Sequence, residues 1–154
     1  MKKYLFIILM LMNASVFSEI LLKPFIPGSF SQILEHRQQD TFALMFWSVD
    51  CPSCYKELEM LSKLGEENLN ANIVLVSTDI TATNDELKSI LVKYKLDKIE
   101  LWQFSGDSDE QLRFEIDRSW YGELPRSYIY KESEKLYVES GVLSEEKLVH
   151  FIKY

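Results

Sequence analysis

Apolar positions run along this chain in two different rhythms. Thr41 to Ser48 reads Thr-Phe-Ala-Leu-Met-Phe-Trp-Ser, an apolar run with no polar face. A run of that length suits a strand covered on both sides, as in a parallel sheet. Asn72 to Asp79 carries Ile-Val-Leu-Val and predicts a second buried strand, and Ile99 to Phe104 predicts a third. Between these runs the spacing changes to three and four. Cys54, Leu58, Leu61 and Gly65 fall on one helical face, which predicts a helix from Pro52 to about Gly65. Pro52 suits the first helical position, where its missing N–H would have no partner anyway. Three further helices announce themselves by capping-box spacing: Ser29 and Gln32 within residues 28–39, Thr83 and Glu86 ahead of Leu87, Ile90, Leu91 and Tyr94, and Ser108 and Gln111 ahead of Leu112 and Ile116, running to about Trp120. Ser127–Tyr130 and Lys135–Glu139 read as short strands joined by a polar turn, a hairpin. Gly141 breaks the chain, and Ser144 caps a last helix whose Glu145 and Glu146 suit a positive helix end. This order predicts an α/β fold with one central mixed β-sheet and helices on both faces.

The N-terminal residues follow a different plan. Met1-Lys2-Lys3 is basic, residues 4–12 are an unbroken apolar run, and smaller or polar residues lead to Ser18. That is the layout of a secretory signal peptide. The run is shorter than the roughly 20 apolar residues that span a bilayer. Residues 1–18 are therefore expected to be a cleaved signal, with an uncleaved membrane anchor through residues 4–12 as the other reading. Residues 19–154 then form one domain, without internal repeat or linker. The expected location is the periplasm or another exported compartment.

Composition narrows the class. Of 154 residues, 47% are hydrophobic and 27% charged, which fits a globular chain. The net charge is −7, and removing residues 1–18 takes away Lys2 and Lys3 and no acid, which deepens it to −9. A nucleic-acid partner is not expected, because binding a polyanion needs a basic face.

The candidate chemistry lies in two cysteines, Cys51 and Cys54, where the first buried strand meets a helix. At the N-cap, backbone N–H groups and the helix dipole favour a thiolate on Cys51. Cys54, one turn further in, faces the core. An exposed acidic thiol beside a shielded one can attack a disulfide and then resolve the mixed disulfide. The pair taken alone also fits half of a zinc site or a small structural disulfide. Structural zinc needs four ligands, and His36 and His150 are single and distant in sequence, so no metal is expected.

The surrounding residues sharpen this. Phe46-Trp47-Ser48-Val49-Asp50-Cys51-Pro52-Ser53-Cys54 resembles the active-site segment of the thioredoxin superfamily, and Gly122-Glu123-Leu124-Pro125-Arg126-Ser127-Tyr128-Ile129 resembles its second hallmark. Within the superfamily the chain is most similar to the exported TlpA/ResA/CcmG-like branch. The leader, the stretch Asn72–Phe104 (which looks like that branch's inserted strand–helix region) and Glu57 in a CxxCxxE pattern all point there. The resemblance covers roughly residues 29–154 and implies that the domain of residues 19–154 has a thioredoxin-like fold, with a cis bond at Leu124–Pro125 beside the active disulfide; Trp47 reads as packing beneath the site rather than as a reacting group. The resemblance implies a thiol–disulfide oxidoreductase that reduces protein disulfides without a cofactor and is itself re-reduced by a membrane thiol carrier. Cytochrome c maturation or reduction of a metal-site thiol would then be target pathways. An oxidase that donates its disulfide, or a non-catalytic binding module, are the competing readings.

The sequence also departs from that pattern. Asp50 stands where the branch usually has Trp, and its charge would raise the Cys51 pKa and strengthen the pair as a reductant. Met45 occupies the place where thioredoxins bury an Asp that handles the proton of the second cysteine. Glu57, one turn after Cys54, is the nearest candidate for that role. Tyr55 and Trp120 read as partly buried aromatics or as part of a substrate surface.

Overall fold

A computed structural model describes residues 20–65 and 72–153. The leader expected over residues 1–18 and the acidic pair Glu66-Glu67 lie outside the described residues. No helix among the described residues is long and apolar enough to cross a membrane.

Six strands and five helices follow in the order β1 (Leu22–Phe25), α1 (Ser29–His36), β2 (Thr41–Trp47), α2 (Cys54–Leu64), β3 (Ile73–Ser77), α3 (Asn84–Lys93), β4 (Glu100–Phe104), α4 (Asp109–Ile116), β5 (Arg126–Lys131), β6 (Glu134–Ser140) and α5 (Glu145–Lys153). The strands form one sheet in the order β1-β4-β3-β2-β5-β6. β1, β4, β3 and β2 run parallel, while β5 and β6 are antiparallel to their neighbours, so the sheet is mixed as expected.

The unbroken apolar character of β2 has a direct cause. Phe42, Leu44 and Phe46 enter one core with Ile33 of α1 and with Leu112 and Ile116 of α4. Ala43, Met45 and Trp47 enter the other, with Leu58 and Leu61 of α2, Leu87 and Leu91 of α3, and Leu148 and Ile152 of α5. Successive side chains point to opposite faces, so a strand with helices on both sides favours apolar residues at every position. The first core is aromatic: Phe46 meets Phe25, Phe104 and Tyr128 edge-on and Trp120 at 4.7 Å.

Several boundaries differ from the sequence reading. β1 is not anticipated by the pattern, because Pro24 interrupts its short apolar run. It is an edge strand, paired only with β4, where a proline is tolerated. α1 ends at His36 instead of residue 39. Arg37 leaves helical geometry and its guanidinium reaches Glu100 of β4 at 2.7 Å. Ser29 accepts the Ile26 N–H at 2.9 Å, which turns it back toward the preceding chain, and the expected side-chain cap is absent. The N-cap is Gly28, at φ 92°, a left-handed conformation that suits glycine. α4 stops at Ile116 instead of Trp120. Asp117 is extended, and its carboxylate accepts both the N–H and the hydroxyl of Ser119. The caps at Thr83 and Ser108 form as expected, each accepting the N–H three residues on at 3.2 Å. β5 and β6 form the expected hairpin, with a register shift between Ile129 and Tyr130.

Phe46, fully buried at the centre of the aromatic core, should be among the most costly residues to truncate. Phe46→Ala is expected to lose about 3–5 kcal/mol in urea denaturation, while Tyr121→Ala, at an 88% exposed residue, should change stability by about 0.5 kcal/mol or less. Equal losses would refute this division into core and surface.

Candidate active site

The site begins where β2 runs out at Trp47. Its last carbonyl accepts the Thr78 N–H at 2.9 Å, which links the ends of β2 and β3. The next residues are held by Asp79, just past β3. Its carboxylate accepts the Ser48 hydroxyl at 2.7 Å, the Val49 N–H at 3.0 Å and the Ser77 hydroxyl at 2.6 Å. The Tyr55 hydroxyl, reaching back from α2, donates to the Val49 carbonyl at 2.9 Å. Burial pushes the Tyr55 phenol up, and nearby acids including Asp79 add to this. It therefore stays a donor.

This frame delivers Cys51 to the start of α2. The Cys54 N–H donates to the Cys51 carbonyl at 3.0 Å and lies 3.2 Å from the Cys51 sulfur. The helix proper begins at Cys54 and not at Pro52, with Ser53 at the N-cap and no side-chain cap there. Cys51, expected at the N-cap, thus stands two residues ahead of the observed one, Ser53. The two cysteines are joined as a disulfide. Cys54 is 0% exposed and Cys51 only 9%. Cys51 is therefore more enclosed than the sequence suggests, though it remains the more accessible of the two.

The other candidate residues fall into place around the pair. Trp47 is buried in the same core as both cysteines. Leu124–Pro125 is the cis bond that the resemblance implied. Phe46 pairs with Arg126, so Pro125 falls beside Trp47 at the end of β2. Leu124 packs against both cores. Asp50 is exposed, and its N–H donates to the Ser48 hydroxyl at 3.2 Å. Met45 is fully buried on the cysteine side. Of the two readings of Trp120, the buried aromatic holds and the substrate surface does not: it lies in the aromatic core, on the opposite face of the sheet from the cysteine-side core.

Glu57 is the unusual member. It is 2% exposed on the buried face of α2, and its Oε1 accepts the Leu143 N–H at 2.6 Å. Burial pushes its carboxyl up, against the lowering effect of the Leu143 bond, and the Glu139 carboxylate raises it further, to about 7. A carboxyl that titrates near neutrality one turn from a buried cysteine can hold or release a proton there.

Two supporting residues escape sequence reading. Asp79 looks like the polar end of a strand, and only the fold brings it to the loop before Cys51. Arg126, directly after Pro125, is buried and bonds Glu123 at 3.1 Å, Ser140 at 2.7 Å and the Tyr128 hydroxyl at 3.0 Å. It thereby ties the loop before Pro125 to both strands of the hairpin.

No family model matches the chain, and no curated protein matches it. Solved structures do. A secreted Mycobacterium tuberculosis disulfide oxidoreductase, homologous to Escherichia coli DsbE, superposes with TM-score 0.57 at 20% identity, covering 77% of this chain and 84% of that one. StoA from Bacillus subtilis gives 0.55 at 22% identity, covering 73% and 81%. A thiol:disulfide interchange protein of the thioredoxin family from Chlorobium tepidum gives 0.59 at 15% identity, covering 78% and 82%. The chain has the thioredoxin-like fold.

The raised Glu57 carboxyl has a signature in stability. Between its ordinary value of 4.5 and about 7, the native state keeps a proton that the unfolded chain releases. The unfolded state then binds fewer protons, so stability falls as pH rises through this window and levels off above about 7. At about 1.4 kcal/mol for each tenfold change in proton affinity, the fall is about 3 kcal/mol. Glu57→Gln, which keeps an acceptor for Leu143, should flatten the urea-denaturation profile between pH 4.5 and 7.5. An unchanged slope would place the carboxyl in an ordinary environment.

Proposed function

We propose that this protein is an exported thiol–disulfide oxidoreductase that reduces disulfides in target proteins. The observation that carries the reading is the Cys51–Cys54 disulfide at a strand–helix junction, with one sulfur sealed and the other at the margin of access. Arranged this way, the two sulfurs have different work. The Cys51 thiolate attacks a target disulfide, one target sulfur leaves as thiolate, and a mixed disulfide forms. Cys54 then attacks the Cys51 sulfur and releases the second target thiolate. The protein has lost two electrons to the target and is left as the disulfide. Glu57 is the acceptor for the Cys54 proton in this scheme, a role that Met45 cannot fill. No cofactor enters it.

Export is read from residues 1–18, as a cleaved signal or as an anchor through residues 4–12, and the secreted source of the Mycobacterium neighbour agrees with it. Return to the dithiol form then falls to a membrane thiol carrier, and the periplasm is the natural site of action. The reduction potential separates a reductant from an oxidase: about −270 mV marks the first and about −120 mV the second.

Cys54→Ser should trap target proteins as mixed disulfides on Cys51, identifiable by mass spectrometry after non-reducing electrophoresis. Trapping through Cys51→Ser instead would reverse the roles. A partner held equally well after both cysteines become serine would make the protein a binding module. The Asp50 anion precedes the attacking sulfur and disfavours its thiolate. Asp50→Asn should therefore lower the Cys51 pKa and move the potential toward the oxidising side, measured at low salt because an exposed charge is readily screened. If neither quantity moves, Asp50 has no part in setting the potential.

A further inference from the structure

Among the described residues, a single buried side-chain oxygen or nitrogen has no hydrogen-bond partner: the Ser127 hydroxyl, in a residue 1% exposed. Buried hydroxyls are nearly always bonded, and leaving one unbonded costs free energy. This one lies two residues after Pro125, and the strand register locates it. Tyr128 and Tyr130 enter the aromatic core and Ile129 enters the cysteine-side core, so Ser127 faces the cysteine side as well. Its cross-strand neighbours are Met45 on β2 and Glu139 on β6. Met45 shares its core with Cys54, and Glu139 is near enough to Glu57 to act on its charge. The hydroxyl therefore lies on the face of the sheet whose core also holds Cys54.

We propose that Ser127 is a positioning residue for the redox step: unpartnered while Cys51 and Cys54 are joined, its hydroxyl donates a hydrogen bond to the Cys54 sulfur once the disulfide opens. This rests on the dithiol–disulfide reading, but not on the direction in which the protein works. When a thiolate reductant attacks the Cys51 sulfur, the S–S bond breaks and its electron pair stays on Cys54. A thiolate is a far stronger acceptor than a disulfide sulfur. Ser127 keeps its own proton and orients it toward that charge, and the proton that finally neutralises Cys54 comes from elsewhere. The disulfide form thus bears an unsatisfied group that the dithiol form does not, so Ser127 favours the dithiol.

The test is equilibration of the full chain with a glutathione redox buffer, read by alkylation and mass spectrometry, together with thermal melting of each form. Ser127→Ala should shift the equilibrium about tenfold toward the disulfide, which for a two-electron couple is about 30 mV more negative. Its reduced form should melt lower while its oxidised form melts no lower than the original. Ser127→Thr, which keeps a hydroxyl, should restore the original equilibrium. An unshifted equilibrium in Ser127→Ala, or an equal drop in melting of both forms, would overturn the proposal and leave Ser127 a packing residue. Loss of the oxidoreductase reading is distinguished by the unmutated protein failing to reduce a protein disulfide such as insulin, a result that does not touch the glutathione equilibrium.

Discussion

A strand buried on both faces cannot simply run out into solvent, because its last carbonyl and the loop after it still need partners. β2 meets this constraint by ending against β3. The Thr78 N–H takes the Trp47 carbonyl, and one carboxylate, Asp79, takes both Ser48 and Val49. The loop that carries Cys51 is thus fixed by one backbone N–H and one carboxylate from the residues just past β3, before any cysteine chemistry enters. The sulfur position is set by the ending of the central strand, and the helix beyond it inherits that position through the tight turn from Cys51 to Cys54.

The buried charges among the described residues are few and each has its own resolution. Arg126 is surrounded by acceptors, with Glu123 and Asp117 to balance it. Among the described residues Glu57 has one backbone donor, Leu143, and a like charge nearby, and burial holds its carboxyl up at about 7. A carboxyl of this kind is a costly occupant of a core. Glu57 stands one turn after Cys54, on the buried face of the same helix.

Much of the plan was readable in the sequence because it depends on short-range pattern. The apolar run of β2, the capping pairs at Thr83 and Ser108 and the hairpin after Pro125 are local signals, and they held. The Ser29 cap failed because Ser29 had a competing partner in the preceding turn. β1 was missed because an edge strand of four residues with a proline carries almost no periodic signal. The end of α4 came one turn earlier than the pattern suggests because Asp117 leaves helical geometry, and Trp120 beyond it packs in the aromatic core, as the buried-aromatic reading has it. At the site, the cysteines, Glu57, Trp47 and Pro125 stood out by motif. Asp79 and Ser127 did not, since a serine on a strand acquires significance only from what the sheet places across from it.

The two open rims of the sheet carry a consequence for how this molecule meets others. At one rim stands β1, four residues long, with Lys23 and Pro24 at its centre. At the other stands β6, charged at Glu134, Lys135 and Glu139 and paired to β5 through a shifted register. Short length, charge, proline and irregular pairing are the features that deny a neighbouring chain a straight template for strand addition. A neighbouring chain is thereby denied backbone pairing at either rim, which keeps copies of the molecule from being joined strand by strand into an aggregate.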